Sequence, residues 1–392
     1  MNYTKKQLGQ YIDVLSGFAF KSKDFTNVGI PVIKIKNINP PYVSLEDISC
    51  VPISVAYQNP KYILKRGDVL IAMTGSHINQ IASVVGRVGR VRYDDLTVLN
   101  QRVGKIINKN DEYSNLDYIY YFLSQYDVKV ELAQKAGGAA NQANISPSDI
   151  KNLYFPCPPI EIQNKIATIL SRYDSLIENY QKQIKLLEES AQRLYKEWFI
   201  DFRFPGHENT KIVDGVPEGW EKKKVGDLIS KVLRTKQVSA NNYLNSGCIP
   251  VIDQSRNYIA GYTNDIESLV EVTIPYIVFG DHTRVLKYVP FSFAKGADGT
   301  QLIMSNDLER MPQSLFYNSL IEIDLSNYSY ARHFKYLKEE SILVPSKDIA
   351  QRYDKVVSQY FKSIQKSRGQ IHHLTEARDR LLPKLMNGEI EV

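Results

Sequence analysis

The sequence predicts an α+β protein. Two mixed α/β domains are joined by two long antiparallel helices that form a coiled coil, and the whole is a pseudo-two-fold internal repeat. Three observations predict this. Apolar residues between Ile162 and Phe199 fall at Ile162, Ile166, Ile169, Tyr173, Ile177, Tyr180, Ile184, Leu187, Ala191, Leu194 and Trp198. Their steps are 4, 3, 4, 4, 3, 4, 3, 4, 3 and 4, a coiled-coil seam with one stutter around Tyr173. A shift of about 187 residues gives Ile349, Tyr353, Val356, Tyr360, Ile364, Ser367, Ile371, Leu374, Arg378, Leu381 and Leu385, with the stutter again at Tyr360. The segments before the helices also repeat: Ile30-Pro-Val-Ile returns as Ile249-Pro-Val-Ile, and Asn152-Leu-Tyr-Phe-Pro as Ser341-Ile-Leu-Val-Pro. A stutter moves the seam around the helix, so a partner in register must carry the same one. At 1.5 Å per residue each seam is roughly 55 Å long.

Taken in order, the first domain occupies residues 1–158. Leu8 to Leu15 is a short amphipathic opening. Ile30-Pro-Val-Ile-Lys-Ile-Lys alternates apolar and basic, so it reads as a strand with Lys34 and Lys36 on one face. Val69 to Met73 is a strand that ends at Thr74-Gly-Ser-His. Val84 to Val91 is another, studded with Arg87, Arg90 and Arg92. Val98 to Ile107 reads as one more, carrying Asn100, Gln101 and Arg102. Asn115 to Gln134 is helical in pattern, and a small-residue loop follows from Lys135 through Asn141 and Gln142. Phe155-Pro-Cys-Pro-Pro closes the domain. The first long helix takes residues 159–200 and a linker rich in glycine, proline and charge takes 201–221. The second domain, 222–345, repeats the first: Pro275-Tyr-Ile-Val-Phe-Gly-Asp-His-Thr stands where Val69 to His77 stood. The second long helix lies within 346–392 and stops around Pro383, with Asn387-Gly as terminator. The domains differ from each other more than the helices do. Within one chain, that contrast marks the helices as scaffold and the domains as two reading heads with different tasks.

Bulk properties bound the function. A net charge of +6 and a pI near 8.8 are compatible with nucleic acid. The three cysteines, Cys50, Cys157 and Cys248, are far apart and form no CxxC, which suits a reducing cytoplasm. The opening Met1 to Gln10 is polar, and no run approaches 18 apolar residues, so neither a signal peptide nor a membrane span is expected. The 26 tyrosines, against 14 phenylalanines, offer apolar rings with polar tips, useful at wet interfaces and equally in ordinary cores.

The motifs of catalysis are missing. There is no GxxxxGK[ST], HExxH or GxSxG, and His372-His373 reads as a solvated helix pair, so no metal is expected. Asn39-Pro-Pro-Tyr42 is the tetrapeptide with which amino-methyltransferases hold an exocyclic amine. That chemistry also needs a glycine-rich turn for S-adenosylmethionine, and no GxG occurs in the chain. A loop bounded by prolines is the expected reading, and no catalytic residue is assigned. What remains is equipment for DNA. Arginine suits guanine and Asn or Gln suits adenine through paired hydrogen bonds in the major groove. In the first head the candidates are Asn100, Gln101, Arg102, Ser76, His77, Asn141 and Gln142, with Lys34, Lys36, Arg87 and Lys135 suited to phosphates. In the second they are Gln254, Ser255, Arg256, Asn257, Tyr258, Asp281, His282, Arg284, Lys295 and Gln301. For each one taken singly, a solvated loop residue is the competing reading.

Several stretches resemble the specificity subunit of type I restriction-modification systems. They are Phe155-Pro-Cys-Pro-Pro-Ile-Glu-Ile-Gln, Trp198-Phe-Ile-Asp-Phe-Arg-Phe-Pro-Gly, Val216-Pro-Glu-Gly-Trp, Val251-Ile-Asp-Gln-Ser, Phe279-Gly-Asp-His-Thr-Arg and Arg380-Leu-Leu-Pro-Lys-Leu-Met-Asn-Gly-Glu-Ile. The resemblance covers essentially the whole chain. It implies a non-catalytic, cytoplasmic subunit with two target-recognition domains, each reading one half of a bipartite double-stranded DNA target. The helix pair would set the unread gap; half-sites on one face of B-DNA lie about 34 Å apart. Two methyltransferase subunits would dock and bring S-adenosylmethionine for adenine N6, with the target adenine flipped from the stack, and two motor-endonuclease subunits would join for restriction. A self-contained adenine methyltransferase and a coiled-coil adaptor without DNA are the competing readings.

Overall fold

The computed structural model describes residues 3–75, 85–137, 143–232, 235–297, 299–328 and 332–392. The chain forms two compact units, one made of residues 1–177 with 372–392, the other of residues 178–371. Each long helix therefore gives part of its length to each unit.

In the first unit a mixed sheet runs in the order Ile12–Ser16, Val103–Asn108, Val69–Ala72, Val88–Arg90, Tyr42–Val43, Ile38–Asn39. A second sheet runs Ser49–Val51, Ile30–Ile33, Thr97–Leu99, Ile63–Leu64. Val69–Ala72 is buried on both faces, as its unbroken apolar run requires. The N-terminal strand Lys5–Gln7 pairs antiparallel with Tyr154–Pro156, just before the long helix. In the second unit the sheets run Gly261–Thr263, Ile249–Ile252, Phe293–Lys295, Leu269–Val270 and Leu286–Val289, Tyr276–Gly280, Thr300–Ile303. Here Glu221–Lys224 pairs with Ser341–Val344 before the second long helix. The repeat written in Ile-Pro-Val-Ile is a repeat of register. Val32 pairs in parallel with Val98 in one unit, and Val251 with Ala294 in the other.

The long helices, Ile160–Tyr195 and Lys347–Met386, run antiparallel in both units. In the second unit the Tyr353 hydroxyl donates to the Ala191 carbonyl, Ser367 to Gln183, and Arg368 pairs with Glu188. In the first, Arg378 pairs with Asp174, and Ile166 and Leu170 share a core with Leu385 and Met386. The buried stripe differs from the predicted seam. Val356 is 38% exposed while Val357 is fully buried, and Ile169, Tyr173 and Tyr360 are half-buried while Leu170, Asp174 and Phe361 lie inside. The inner stripe runs Ile166, Leu170, Asp174, Ile177 and, repeated, Tyr353, Val357, Phe361, Ile364. The reason is that each helix packs on its domain as well as on the other helix: Phe361 stacks on Tyr288 at 4.1 Å, and Asp174 accepts from Tyr121.

Four further expectations change. The strand at Ile30 ends at Ile33, because Asn37 Oδ1 takes the Lys34 N–H and closes a 3-10 turn. Lys34 and Lys36 therefore share no strand face. Val98 to Ile107 is two strands in two sheets, Thr97–Leu99 and Val103–Asn108, divided by a turn at Asn100 to Arg102 in which Val103 N–H donates to Asn100 O. Asn115 to Gln134 is two helices, Leu116–Leu123 and Tyr126–Lys135, separated where the Ser124 hydroxyl bonds back to Tyr120 O and Gln125 is extended. The second long helix passes Pro383 and ends at Met386. A proline so near the end leaves the final turn intact, and Asn387 N–H still reaches Pro383 O. Among the described residues, no helix is long and apolar enough to cross a membrane.

Candidate nucleic-acid interface

The second unit shows how the frame gathers loops. Ile249–Ile252 and Phe293–Lys295 are parallel neighbours, so the chain leaves both at the same edge. Tyr276–Gly280 reaches that edge too, since Gly280 pairs with Thr300. Segments 253–258, 281–284, 296–297 and 299–301 therefore meet. Gln254 Oε1 accepts from His282 N–H at 3.1 Å, and the Thr283 hydroxyl donates to Gln254 O at 2.6 Å. Asp281 N–H donates to Gly299 O at 2.7 Å. Gly299 has φ +74°, and a Cβ there would lie 2.8 Å from the Gln254 amide and the His282 ring, so only glycine allows this approach.

Nine of the ten candidates in this unit, all but Lys295, thus lie on segments that meet, with differing exposure. His282, Arg256 and Asn257 are exposed. Gln254 is half-buried and bonded as above, Ser255 caps Asp253 Oδ1 through its N–H and hydroxyl, and Gln301 is half-buried in its strand. Arg284, at φ 62°, donates to Leu325 O at 3.0 Å. Asp281 is buried, its carboxylate accepting from Phe334 N–H at 2.8 Å. Tyr258 donates to Tyr288 O at 2.6 Å, and burial pushes its hydroxyl up to about 12. Burial lowers the Lys295 ammonium pKa.

In the first unit, Lys34 to Asn37 and Asn100 to Arg102 leave the corresponding parallel pair, with Asn100 N–H on Ile33 O. Gln101 and Arg102 are exposed and line an open cleft of about 620 Å³ with Gly137, Asn144, Ser146 and Asp149. Met73 N–H donates to Arg102 O, and Thr74–Gly75 pairs with Ala143–Asn144. Ser76, His77, Asn141 and Gln142 continue from those strands and lie outside the described residues. The Lys34 ammonium sits 4.0 Å from the Phe25 ring centre and donates to Ser49; burial and then Lys36 lower its pKa. Lys36 is exposed, Arg87 half-buried, and Lys135 pairs with Glu131 at 2.6 Å.

Sequence reasoning passed over the charges that tie each domain to the helices. Asp174, 1% exposed, accepts from Arg378 at 2.7 Å and from the Tyr121 hydroxyl at 2.7 Å, with Arg92 at 3.7 Å. Arg90 pairs with Asp117 and lies over the Tyr120 ring. The basic strand at Val88 is thus bound inward at Arg90 and Arg92. Asn39-Pro-Pro-Tyr42 is a hairpin, Asn39 pairing with Tyr42, whose Pro41 carbonyl accepts from Arg90 N–H and from Tyr120.

Lys287, 4% exposed, was also missed. Its strand partner is Val278, and a lysine opposite a core valine is the sequence signal. Burial outweighs the nearby Asp253 carboxylate and pushes the ammonium down to about 8; Glu188, Arg256 and Arg368 line the same cavity. A lysine with a lowered folded pKa is held neutral by folding above pH 8 while the unfolded chain stays protonated. Its contribution to stability therefore rises with pH between about 8 and 10.5. Urea unfolding of the wild type and of Lys287→Met at pH 7 and pH 9.5 should show the wild type gaining about 2 kcal/mol relative to the variant. A constant difference contradicts this.

Residues 1–189 match the family model described as Type I restriction modification DNA specificity domain. The chain is 29% identical over 321 residues to the type I restriction enzyme MjaIX specificity subunit of Methanocaldococcus jannaschii, covering 75% of this chain and 73% of that protein. It is 24% identical to the putative MjaX specificity subunit of the same organism, over 99% of this chain and 93% of that one. The crystal structure of a type I restriction-modification S subunit from M. genitalium superposes with a TM-score of 0.59 at 18% identity, covering 98% of this chain and 96% of that one. That last likeness is one of fold.

Proposed function

We infer that this chain, a member of the type I restriction-modification specificity family, is the DNA-recognition subunit of such a complex and not its catalyst. Each unit reads one half of a bipartite duplex target, and the long helices set the number of unread base pairs. Methyltransferase subunits, two by the internal repeat, bind the chain in the cytoplasm and bring S-adenosylmethionine for adenine N6; two motor-endonuclease subunits complete the restricting assembly. The observation that carries the reading is that one strand frame occurs twice with different polar loops at the same edge. Asn100 and Gln101 occupy in one unit the places that Gly296 and Ala297 occupy in the other. A shared frame with divergent donors suits two readings of different base edges.

The test is selection from a random duplex library with the chain and its methyltransferase partner purified together. A split consensus with two defined halves is expected; enrichment of no sequence contradicts the reading. Arg102→Ala should relax one half only, lowering discrimination at one or two positions by about 1–3 kcal/mol. Equal weakening on all sequences, with a shallower salt dependence, reassigns Arg102 to phosphate.

A further inference from the structure

The segment 253–258 of the second unit is held from behind. Lys287 Nζ donates to the carbonyls of Asp253, at 2.8 Å, and of Asn257. One buried cation thus joins the two ends of the stretch that carries Gln254, Ser255 and Arg256. The next residue is fixed as well: Tyr258 bonds to Tyr288 O, and the Arg368 guanidinium lies 3.7 Å from its ring centre while pairing with Glu188 at 3.1 Å. Asp253 meanwhile folds the stretch from its own side by accepting from Ser255.

Burying an ammonium costs free energy that an apolar side chain of the same length would not incur. Stability alone therefore gives no reason for a lysine here. Its effect is to specify a single conformation for a polar stretch that is half-buried at Gln254 and Ser255 and exposed at Arg256 and Asn257. Base discrimination needs donors placed to within about 0.5 Å. A staple across the loop ends provides that placement without touching DNA.

We propose that Lys287 is a positioning residue for base recognition, fixing through the Asp253 and Asn257 carbonyls the conformation in which residues 254–257 meet their half-site, with Arg368 bracing Tyr258. The proposal rests on the recognition role inferred above. It places a determinant of specificity in the interior of the unit, at a residue that contacts no DNA.

The experiment uses the full chain in complex with its methyltransferase partner. It measures affinity for the selected target and for targets with single base-pair changes in each half, as a function of salt. The variants are Lys287→Met, Tyr258→Phe and, as a stability control away from the loop, Ile342→Val. Lys287→Met should lower discrimination about tenfold or more at positions in one half, leaving the other half and the salt slope unchanged. Tyr258→Phe should produce a smaller loss in that same half, and Ile342→Val none. Unchanged discrimination, equal loss in both halves, a shallower salt slope, or the same loss from Ile342→Val each overturns the proposal. If Lys287→Met does not assemble, Tyr258→Phe decides, and an unchanged half-site overturns it. A wild-type complex that selects no split target removes the recognition reading itself, a result distinct from any of these.

Discussion

Asp174→Ala should be among the most damaging single substitutions in the first unit, costing about 3–5 kcal/mol. The carboxylate is buried between Arg378, Arg92 and the Tyr121 hydroxyl. Burial works against the Arg378 charge, and the hydrogen bonds and charges of Asp174 and, after it, Asp379 more than offset that effect. Removing the carboxylate takes away the buried counter-ion of Arg378, leaving it the more exposed Asp379 at 2.8 Å, and breaking a buried pair in this way is worse than never having had it. The second unit shows the alternative, since the repeat places Phe361 and Ala191 where the first unit has Asp174 and Arg378. The double variant Asp174→Phe, Arg378→Ala should therefore lose less than the sum of its single changes. Recovery should be partial, because Arg92 and Tyr121 keep their polar groups. Urea denaturation of the four proteins measures this, and strictly additive losses contradict it.

Tyr353→Ala should have a comparable effect on the second unit. Tyr353 is fully buried, with Tyr195, Trp198 and Phe199 around it at ring distances of 6.4, 5.9 and 5.1 Å. Its hydroxyl donates across the helix pair to Ala191 O. Truncating it opens a cavity among aromatic rings and should cost about 3–5 kcal/mol. Tyr353→Phe keeps the packing and loses one hydrogen bond, for about 1 kcal/mol. Thermal unfolding separates the two, and equal losses would mean that the hydroxyl, not the ring, holds the helices here.

These two sites mark where the sequence was legible and where it was not. The period of the helices, their stutter and their repeat could be read from Ile166, Ile177, Tyr353 and Ile364, because a seam is a local pattern. The one-residue change of stripe at Asp174 and Phe361 could not. It depends on the domain that packs against each helix, and the pattern within a helix does not record its second neighbour. The same limit explains Asn100 to Arg102. Apolar residues flank Asn100-Gln101-Arg102 on both sides and suggest one strand, yet the chain turns there because its two ends belong to different sheets. Arg90, Arg92 and Lys287 are internal ties. Only their partners, Asp117, Asp174 and two backbone carbonyls, reveal that, and those lie far away in sequence. Arg102, Arg256 and His282 are exposed, and as polar loop residues they were legible in the sequence.

On the proposed function, this chain alone decides which DNA is read. Mapping N6-methyladenine genome-wide in a naive host that expresses the partner methyltransferase, with and without the chain, tests it most directly. One split motif, present only with the chain, is expected. The same motif with and without the chain, or none from a folded and assembled complex, would contradict it.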